Sequence, residues 1–209
     1  MGRFIAIYGG TFDPPHQGHL HVLAQVREHC HFDHILVFPA ARPSLRRAPV
    51  AASNHRLAMV KLAMRPLPGV IVDEREFNRP GPSFTIDSIE SLRQEKPDAV
   101  LNLLMGVDVL KNFERWHRWQ DILGLCNILA ITRPGWILSD SVPEWWCQLR
   151  LDPAELRSCQ CGAVSDLSID PSPVSATAVR EMLAADQIPG DGMLAQPVLE
   201  YILEHRLYR

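Results

Sequence analysis

Short apolar runs and longer amphipathic stretches alternate along most of this 209-residue chain. Arg3–Tyr8 is rich in β-forming residues and runs into Gly9-Gly10. Gln17–Cys30 spaces Leu20, Leu23, Ala24 and Arg27 as a helix does, and His34–Phe38 reads as a second strand closed by Pro39. Ser53 is placed to cap a helix through about Met64, with Leu57, Val60 and Met64 on one face. Val70–Asp73 is expected as a short strand and Ser83–Gln94 as a helix with Ile86, Ile89 and Leu92 inward. Ala99–Met105 is continuously apolar and stops at Gly106, the pattern of a strand buried on both faces. A helix ends over Ile122–Cys126, and a strand, Asn127–Ile131, is stopped by Arg133-Pro134-Gly135. Trp136–Cys161 shows no clear period. Val164–Ile169 reads as the last strand, with helices at Ala176–Ala185 and Pro197–His205.

This alternation predicts an α/β fold: a Rossmann-like, doubly wound parallel sheet with helices on both faces. One domain over 1–209 is expected, with a small helical C-terminal extension from about 171 to 209. Ligands of such sheets sit beyond the carboxyl ends of the strands, where the winding direction reverses. The distinctive residues Gly9-Gly10, Gly106-Val107-Asp108 and Arg133 all follow strands.

Composition narrows the function classes. Hydrophobic residues at 46% and charged residues at 22% suit a substantial core and exclude global disorder. A net charge of -3 argues against a nucleic-acid coat but not against a small phosphorylated ligand, which local cations can hold. No apolar run is long enough to span a bilayer, the first apolar stretch is too short for a signal peptide, and Ala6 breaks the myristoylation pattern. The five cysteines are irregularly spaced, and Cys159 and Cys161 form a lone C-x-C without a second ligand pair. Free thiols, a cytoplasmic location and no protein-held metal are expected.

Two segments carry the chemistry. The first is Gly9-Gly10-Thr11-Phe12-Asp13-Pro14-Pro15-His16-Gln17-Gly18-His19. Glycines after a strand allow a sharp turn and close approach to a ligand. The following helix start offers unpaired N–H groups and a positive dipole end. His16 and His19, three apart, share a face from which imidazoles can donate to phosphate oxygens. Both G-x-G-x-x-G and a P-loop lysine are absent, which argues against dehydrogenase and P-loop chemistry. The second segment is Val174-Ser175-Ala176-Thr177-Ala178-Val179-Arg180. Ser175 is a plausible N-cap, Thr177 lies in the first turn, and Arg180 can project beside them, so that hydroxyls and a guanidinium form a phosphate clamp. Asp108, at the end of the central strand, suits ribose hydroxyls or serves as a helix N-cap.

GGTFDPPHQGH resembles the (H/T)xGH signature of the nucleotidyltransferase α/β superfamily. It is most similar to the GGTFDPxHxGH string of bacterial nicotinate-nucleotide adenylyltransferases. The second segment resembles that family's ISxTxxR motif, with Val174 for Ile. The tail Tyr201-Ile202…Leu207-Tyr208-Arg209 is similar to the family's C-terminus. The resemblance implies that His16, His19 and Arg180 are catalytic. It further implies that Gly9, Gly10, Thr11, Gly106, Asp108, Ser175 and Thr177 join them in holding ATP. Thr85, in a P-S-[YF]-T string, Trp116, the backbone of His117 and Arg133, in R-P-G, are the implied contacts of nicotinic acid mononucleotide. Arg46 is a further one, the terminal cation of a loop that departs from the family pattern. Where the family often has P-N-x-x-P-P-H-[KR], this chain reads Pro39-Ala40-Ala41-Arg42-Pro43-Ser44-Leu45-Arg46, and Arg42 or Arg47 could substitute for the missing contacts.

The implied reaction is AMP transfer from ATP to nicotinic acid mononucleotide, releasing pyrophosphate, with Mg²⁺ carried on the ATP. Partners are then these two substrates, with no nucleic acid and no membrane; self-association is left open. Three alternatives stand beside it: nicotinamide mononucleotide as acceptor, another adenylyl- or cytidylyltransferase such as the phosphopantetheine type, and a non-catalytic nucleotide-binding module.

Overall fold

Every strand of the sheet except the short β3 contains consecutive buried residues, most of them apolar, and the burial decides the architecture. The computed structural model describes residues 2–44, 48–132 and 142–209. Among them the chain runs β1 (Phe4–Gly10), α1 (Gln17–Cys30), β2 (His34–Pro39), α2 (Ser53–Met64), β3 (Val70–Val72), α3 (Thr85–Glu95) and β4 (Val100–Gly106). It continues through α4 (Val107–Leu110), α5 (Trp119–Leu125), β5 (Asn127–Thr132), α6 (Glu144–Leu149), β6 (Val164–Ser168), α7 (Ala176–Ala184) and α8 (Gln196–Glu204). The six strands form one all-parallel sheet in the order β3-β2-β1-β4-β5-β6. The fold is therefore the doubly wound α/β arrangement that the periodicity predicts.

Period-two alternation splits the core into two layers. Ala6, Ile35 and Val37 face a cluster with Leu23 and Val26 of α1, Met59 and Val60 of α2, Val179 of α7 and Ile202 of α8. Ile5, Ile7, Leu36, Leu101 and Leu103 face the other side, against Ile86, Ile89 and Leu92 of α3, Ile122 of α5 and Trp146 of α6. Winding reverses between β1 and β4, so a crevice opens where Gly10 and Gly106 end neighbouring strands.

Several local expectations are corrected. Gly9 and Gly10 are the last residues of β1 and not a turn. The left-handed residue is Phe12, at φ 51°, followed by a cis Asp13-Pro14 bond. The reason for a glycine at position 10 is packing: a Cβ there would stand 2.9 Å from the Phe12 ring. Ser53 is the first helical residue of α2, and Ala52 holds the cap position without a side-chain bond. The buried face of α2 is Arg56, Met59, Val60, Ala63 and Met64, so a cation enters where only apolar groups are expected. Within 136–161, residues 142–161 contain α6 and a 3₁₀ turn, Pro153–Ser158, capped reciprocally by Asp152 and Glu155.

Candidate active site

His16 does the work of an N-cap serine. Its Nδ1 accepts the Gly18 N–H at 3.1 Å, while His19 Nδ1 accepts the His16 N–H at 3.1 Å, completing a reciprocal capping box. Each Nδ1 is thereby an acceptor, so the uncharged form of either ring carries its proton on Nε2. The two rings lie 3.9 Å apart, centroid to centroid. Phe12 packs against His19 at 4.9 Å and Tyr8 at 6.2 Å, which fixes the ring's orientation. Burial lowers the His16 pKa to about 4, so at neutral pH it is an uncharged N–H donor.

The helix start itself is not the open anion site that its position suggests. Gln17 N–H goes to the Met193 carbonyl, Gly18 N–H to His16 Nδ1 and His19 N–H to the His16 carbonyl. The first-turn amides of Gln17, Gly18 and His19 are therefore already engaged.

Ser175 caps α7, its hydroxyl accepting the Ala178 N–H at 3.2 Å. Arg180 donates from one terminal nitrogen to the Asp13 carbonyl at 2.7 Å and from the other to the Thr177 hydroxyl at 3.2 Å. A guanidinium has further N–H groups for an anion beyond these two. On the same side, Gly18 meets the Val174 carbonyl so closely that a Cβ would stand 3.0 Å from it and 2.9 Å from His16 Nδ1. The two motifs, distant in sequence, are thus in contact around one loop.

Beside them is a cleft of about 370 Å³, lined by Tyr8, His16, Gly18 and His19 on one wall and Gly106, Val107 and Asp108 on the other. Asp108 is exposed in α4, and its capping alternative is excluded because Gly106 occupies the N-cap position. His21 Nε2 meets the Asp170 carbonyl at 2.8 Å and closes the cleft's rim. His21 was legible only as one more histidine after His19.

Thr85, Trp116 and His117, implied to hold the mononucleotide, do not line this cleft. Thr85 opens α3, Trp116 packs edge-on against Phe113 at 5.5 Å, and exposed His117 lies 4.5 Å from the Phe84 ring. The Thr85 and Trp116–His117 segments therefore meet through Phe84 and His117, and none of the three residues lines the described cavity. Arg42, a suggested substitute cation, is committed to the carbonyls of Arg79 and Gly81. Arg46, Arg47 and Arg133 lie outside the described residues.

Three residues unassigned by sequence reasoning hold the loop. Asp13, quoted in the motif but given no role, accepts the amides of Val50 and Ala51 and the Tyr208 hydroxyl. Arg56, 1% exposed, donates to the carbonyls of Thr11, Ala40, Ala41 and Ala51. Burial and the Asp13 carboxylate push the Tyr208 phenol far up. An arginine in the buried register of α2 was a readable signal for Arg56; Tyr208 had none.

A parallel sheet whose switch-point cleft is lined by paired imidazoles, with Arg180 bonded to the loop that leads into them and Ser175, Thr177 and Arg180 outside the cleft lining, is the arrangement of a nucleotidyltransferase. The cytidylyltransferase-like family model matches residues 7–182. A probable nicotinate-nucleotide adenylyltransferase of Laribacter hongkongensis is 39% identical over 98% of this chain and 94% of its own. One of Acidithiobacillus ferrooxidans is 36% identical over 98% and 95%. The chain belongs to the cytidylyltransferase-like family and, within it, to the nicotinate-nucleotide adenylyltransferases. The fold is shared with the Plasmodium falciparum nicotinic acid mononucleotide adenylyltransferase solved with NaAD, at a TM-score of 0.74, 16% identity and coverage of 99% and 97%.

Proposed function

We propose that the chain transfers AMP from ATP to nicotinic acid mononucleotide, giving deamido-NAD and pyrophosphate in NAD biosynthesis. A 5′-phosphate oxygen of the acceptor forms a bond to the α-phosphorus of ATP as the bond from that phosphorus to the bridging pyrophosphate oxygen breaks. The acceptor is already an anion near neutrality, so no strong general base is required. Catalysis is alignment plus stabilisation of charge on the transferring phosphoryl group. The observation that carries this reading is the junction of the two motifs: paired imidazoles held through Nδ1, and Arg180 bound to the loop that leads into them.

His16 and His19 are assigned to the α-phosphate, and Ser175, Thr177 and Arg180 to the β- and γ-phosphates. Gly106 and Asp108 take the adenosine ribose, with Gly9, Gly10 and Thr11 shaping the loop. Thr85, Trp116, His117, Arg133 and Arg46 are assigned to the mononucleotide. Mg²⁺ is assigned to the triphosphate; the Asp13 carboxylate, the acid of the histidine loop, is already filled by protein donors. When bound, the ion neutralises phosphate charge. No described helix is long and apolar enough to cross a membrane. The five cysteines are free thiols, as in a reducing compartment.

The test is an acceptor panel. The protein is incubated with ATP, Mg²⁺ and nicotinic acid mononucleotide, nicotinamide mononucleotide or phosphopantetheine, and pyrophosphate is measured. Release with the nicotinate acceptor at the highest kcat/KM is expected. Nucleotide binding without release from any acceptor defeats the reading in favour of a non-catalytic module.

A further inference from the structure

Asp13 joins three segments that are far apart in sequence. It is 7% exposed, and its carboxylate accepts Val50 N–H at 2.7 Å, Ala51 N–H at 3.1 Å and the Tyr208 hydroxyl at 2.8 Å. Its carbonyl accepts Arg180 at 2.7 Å. Beneath it Arg56 binds Thr11 at 2.8 Å, Ala40 at 2.6 Å, Ala41 at 2.9 Å and Ala51 at 3.2 Å, all through carbonyls. The loop entering His16, the two ends of the 40–51 segment and the start of the clamp on α7 are therefore bonded to one hub.

Tyr208 completes the hub at some local expense. Its φ of 66° is in the left-handed region, which an aromatic residue rarely adopts. Such a backbone persists where the surroundings over-determine it. Here the ring is 6% exposed and the hydroxyl has one specific acceptor, Asp13 Oδ1. Without that hydroxyl, Oδ1 keeps a single amide donor in a place largely closed to water, and the carboxylate must move to regain a partner.

We propose that Tyr208 is a positioning residue for adenylyl transfer: its hydroxyl, through Asp13, holds the loop leading into His16 in fixed register with residues 48–51. This rests on the proposed reaction, in which rate depends on holding two substrates in line. The Asp13 loop leads into His16, assigned to the α-phosphate, and the Asp13 carbonyl holds Arg180, assigned to the β- and γ-phosphates. A hub that anchors this loop sets the spacing of the two, and a sub-ångström shift between them lowers the rate while leaving ATP able to bind.

The experiment compares Tyr208→Phe with Tyr201→Phe. The second variant removes a hydroxyl from α8 that bonds His55 Nδ1 at 3.0 Å and does not touch Asp13. Each loses one hydrogen bond of the C-terminal segment, so each lowers Tm by about 2–4 °C for a chain of this size. Tyr208→Phe is expected to lower kcat about tenfold with KM for ATP changed less than about twofold, while Tyr201→Phe keeps kcat. Hydrogen exchange in peptides covering 11–14 and 48–51 is expected to rise in Tyr208→Phe alone. Retained kcat in Tyr208→Phe, or parallel loss in both variants, overturns the proposal. Should the unaltered chain transfer AMP to no acceptor, the functional reading fails by itself. The exchange comparison still decides the hub, because unchanged protection at 11–14 and 48–51 overturns it whatever the activity.

Discussion

The Arg180 guanidinium donates to the Asp13 carbonyl at 2.7 Å across 167 positions of sequence. That bond fixes the α7 clamp against the loop of the paired histidines, and the second donor, to the Thr177 hydroxyl, sets the plane of the fork. A lysine ammonium can replace one of these bonds but cannot make both from a rigid plane. Arg180→Lys is therefore expected to lower kcat/KM for ATP by about 10²-fold, most of it in kcat, in steady-state assays of pyrophosphate release. A loss under about fivefold would return Arg180 to an electrostatic bystander.

In the proposed reaction the two nitrogens of His19 have separable duties: Nδ1 holds the His16 N–H and Nε2 is assigned to the α-phosphate. An asparagine amide oxygen can stand where Nδ1 accepts the His16 N–H, but nothing in that shorter side chain reaches the place of Nε2. His19→Asn should keep Tm within about 2 °C of the parent and reduce kcat by about 10²–10³-fold. Unchanged turnover removes His19 from the chemistry; a collapse in Tm instead identifies the ring as structural.

His16 also links stability to pH. Its folded pKa, about 4, lies below the ordinary value of 6.5 because burial disfavours the imidazolium. The unfolded chain therefore takes up a proton between pH 6.5 and 4 that the folded chain does not. Stability is full above pH 6.5 and falls as pH drops toward 4, by up to about 3 kcal/mol. His16→Asn keeps a capping acceptor and removes the titration, so urea midpoints across this window should vary less in the variant. An identical pH slope in both proteins would assign the effect elsewhere.

Arg56 has four carbonyl partners and almost no exposure, and burial pulls its pKa down. Arg56→Met fills similar space but strands those carbonyls. A loss of about 3 kcal/mol or more is expected in urea unfolding, as for other broken buried polar networks. A neutral result would mean that water or backbone movement satisfies the loop without it.

Gly18→Ala tests the contact between the two motifs. The added methyl stands 2.8 Å from the His16 ring and 3.0 Å from the Val174 carbonyl, and the carbonyl is backbone that cannot rotate away cheaply. We expect a loss of about 1–3 kcal/mol with kcat reduced further than stability accounts for, measured well below the melting transition. Wild-type kcat in a folded variant would show that the separation of the motifs is not critical.

Much of this protein could be read from its residues in order. Alternating apolar runs, amphipathic helices and stops at Gly106 and Pro134 specify a doubly wound sheet, because hydrophobic period is a local property. The inward face Ile86, Ile89 and Leu92 and the cap at Ser175 followed from the same kind of local rule. The histidine and hydroxyl motifs were legible because their spacing is short and their chemistry specific.

What the sequence left undecided was which groups satisfy one another at long range. Helix geometry left the first amides of α1 open, but folding delivers the Met193 carbonyl and the His16 ring to them. Glycine at position 10 suggested a turn, and the need turned out to be room for the Phe12 ring. Arg56 looked like one charge on a helix until two loops brought four carbonyls to it, and Tyr208 had no visible function until the chain's C-terminal segment met Asp13. Propensity and period act over a few residues, whereas a buried polar group finds its partner only when packing has closed off water. Residues alone thus determined the elements and the chemistry on offer; tertiary structure decided which donors were already taken by other parts of the chain.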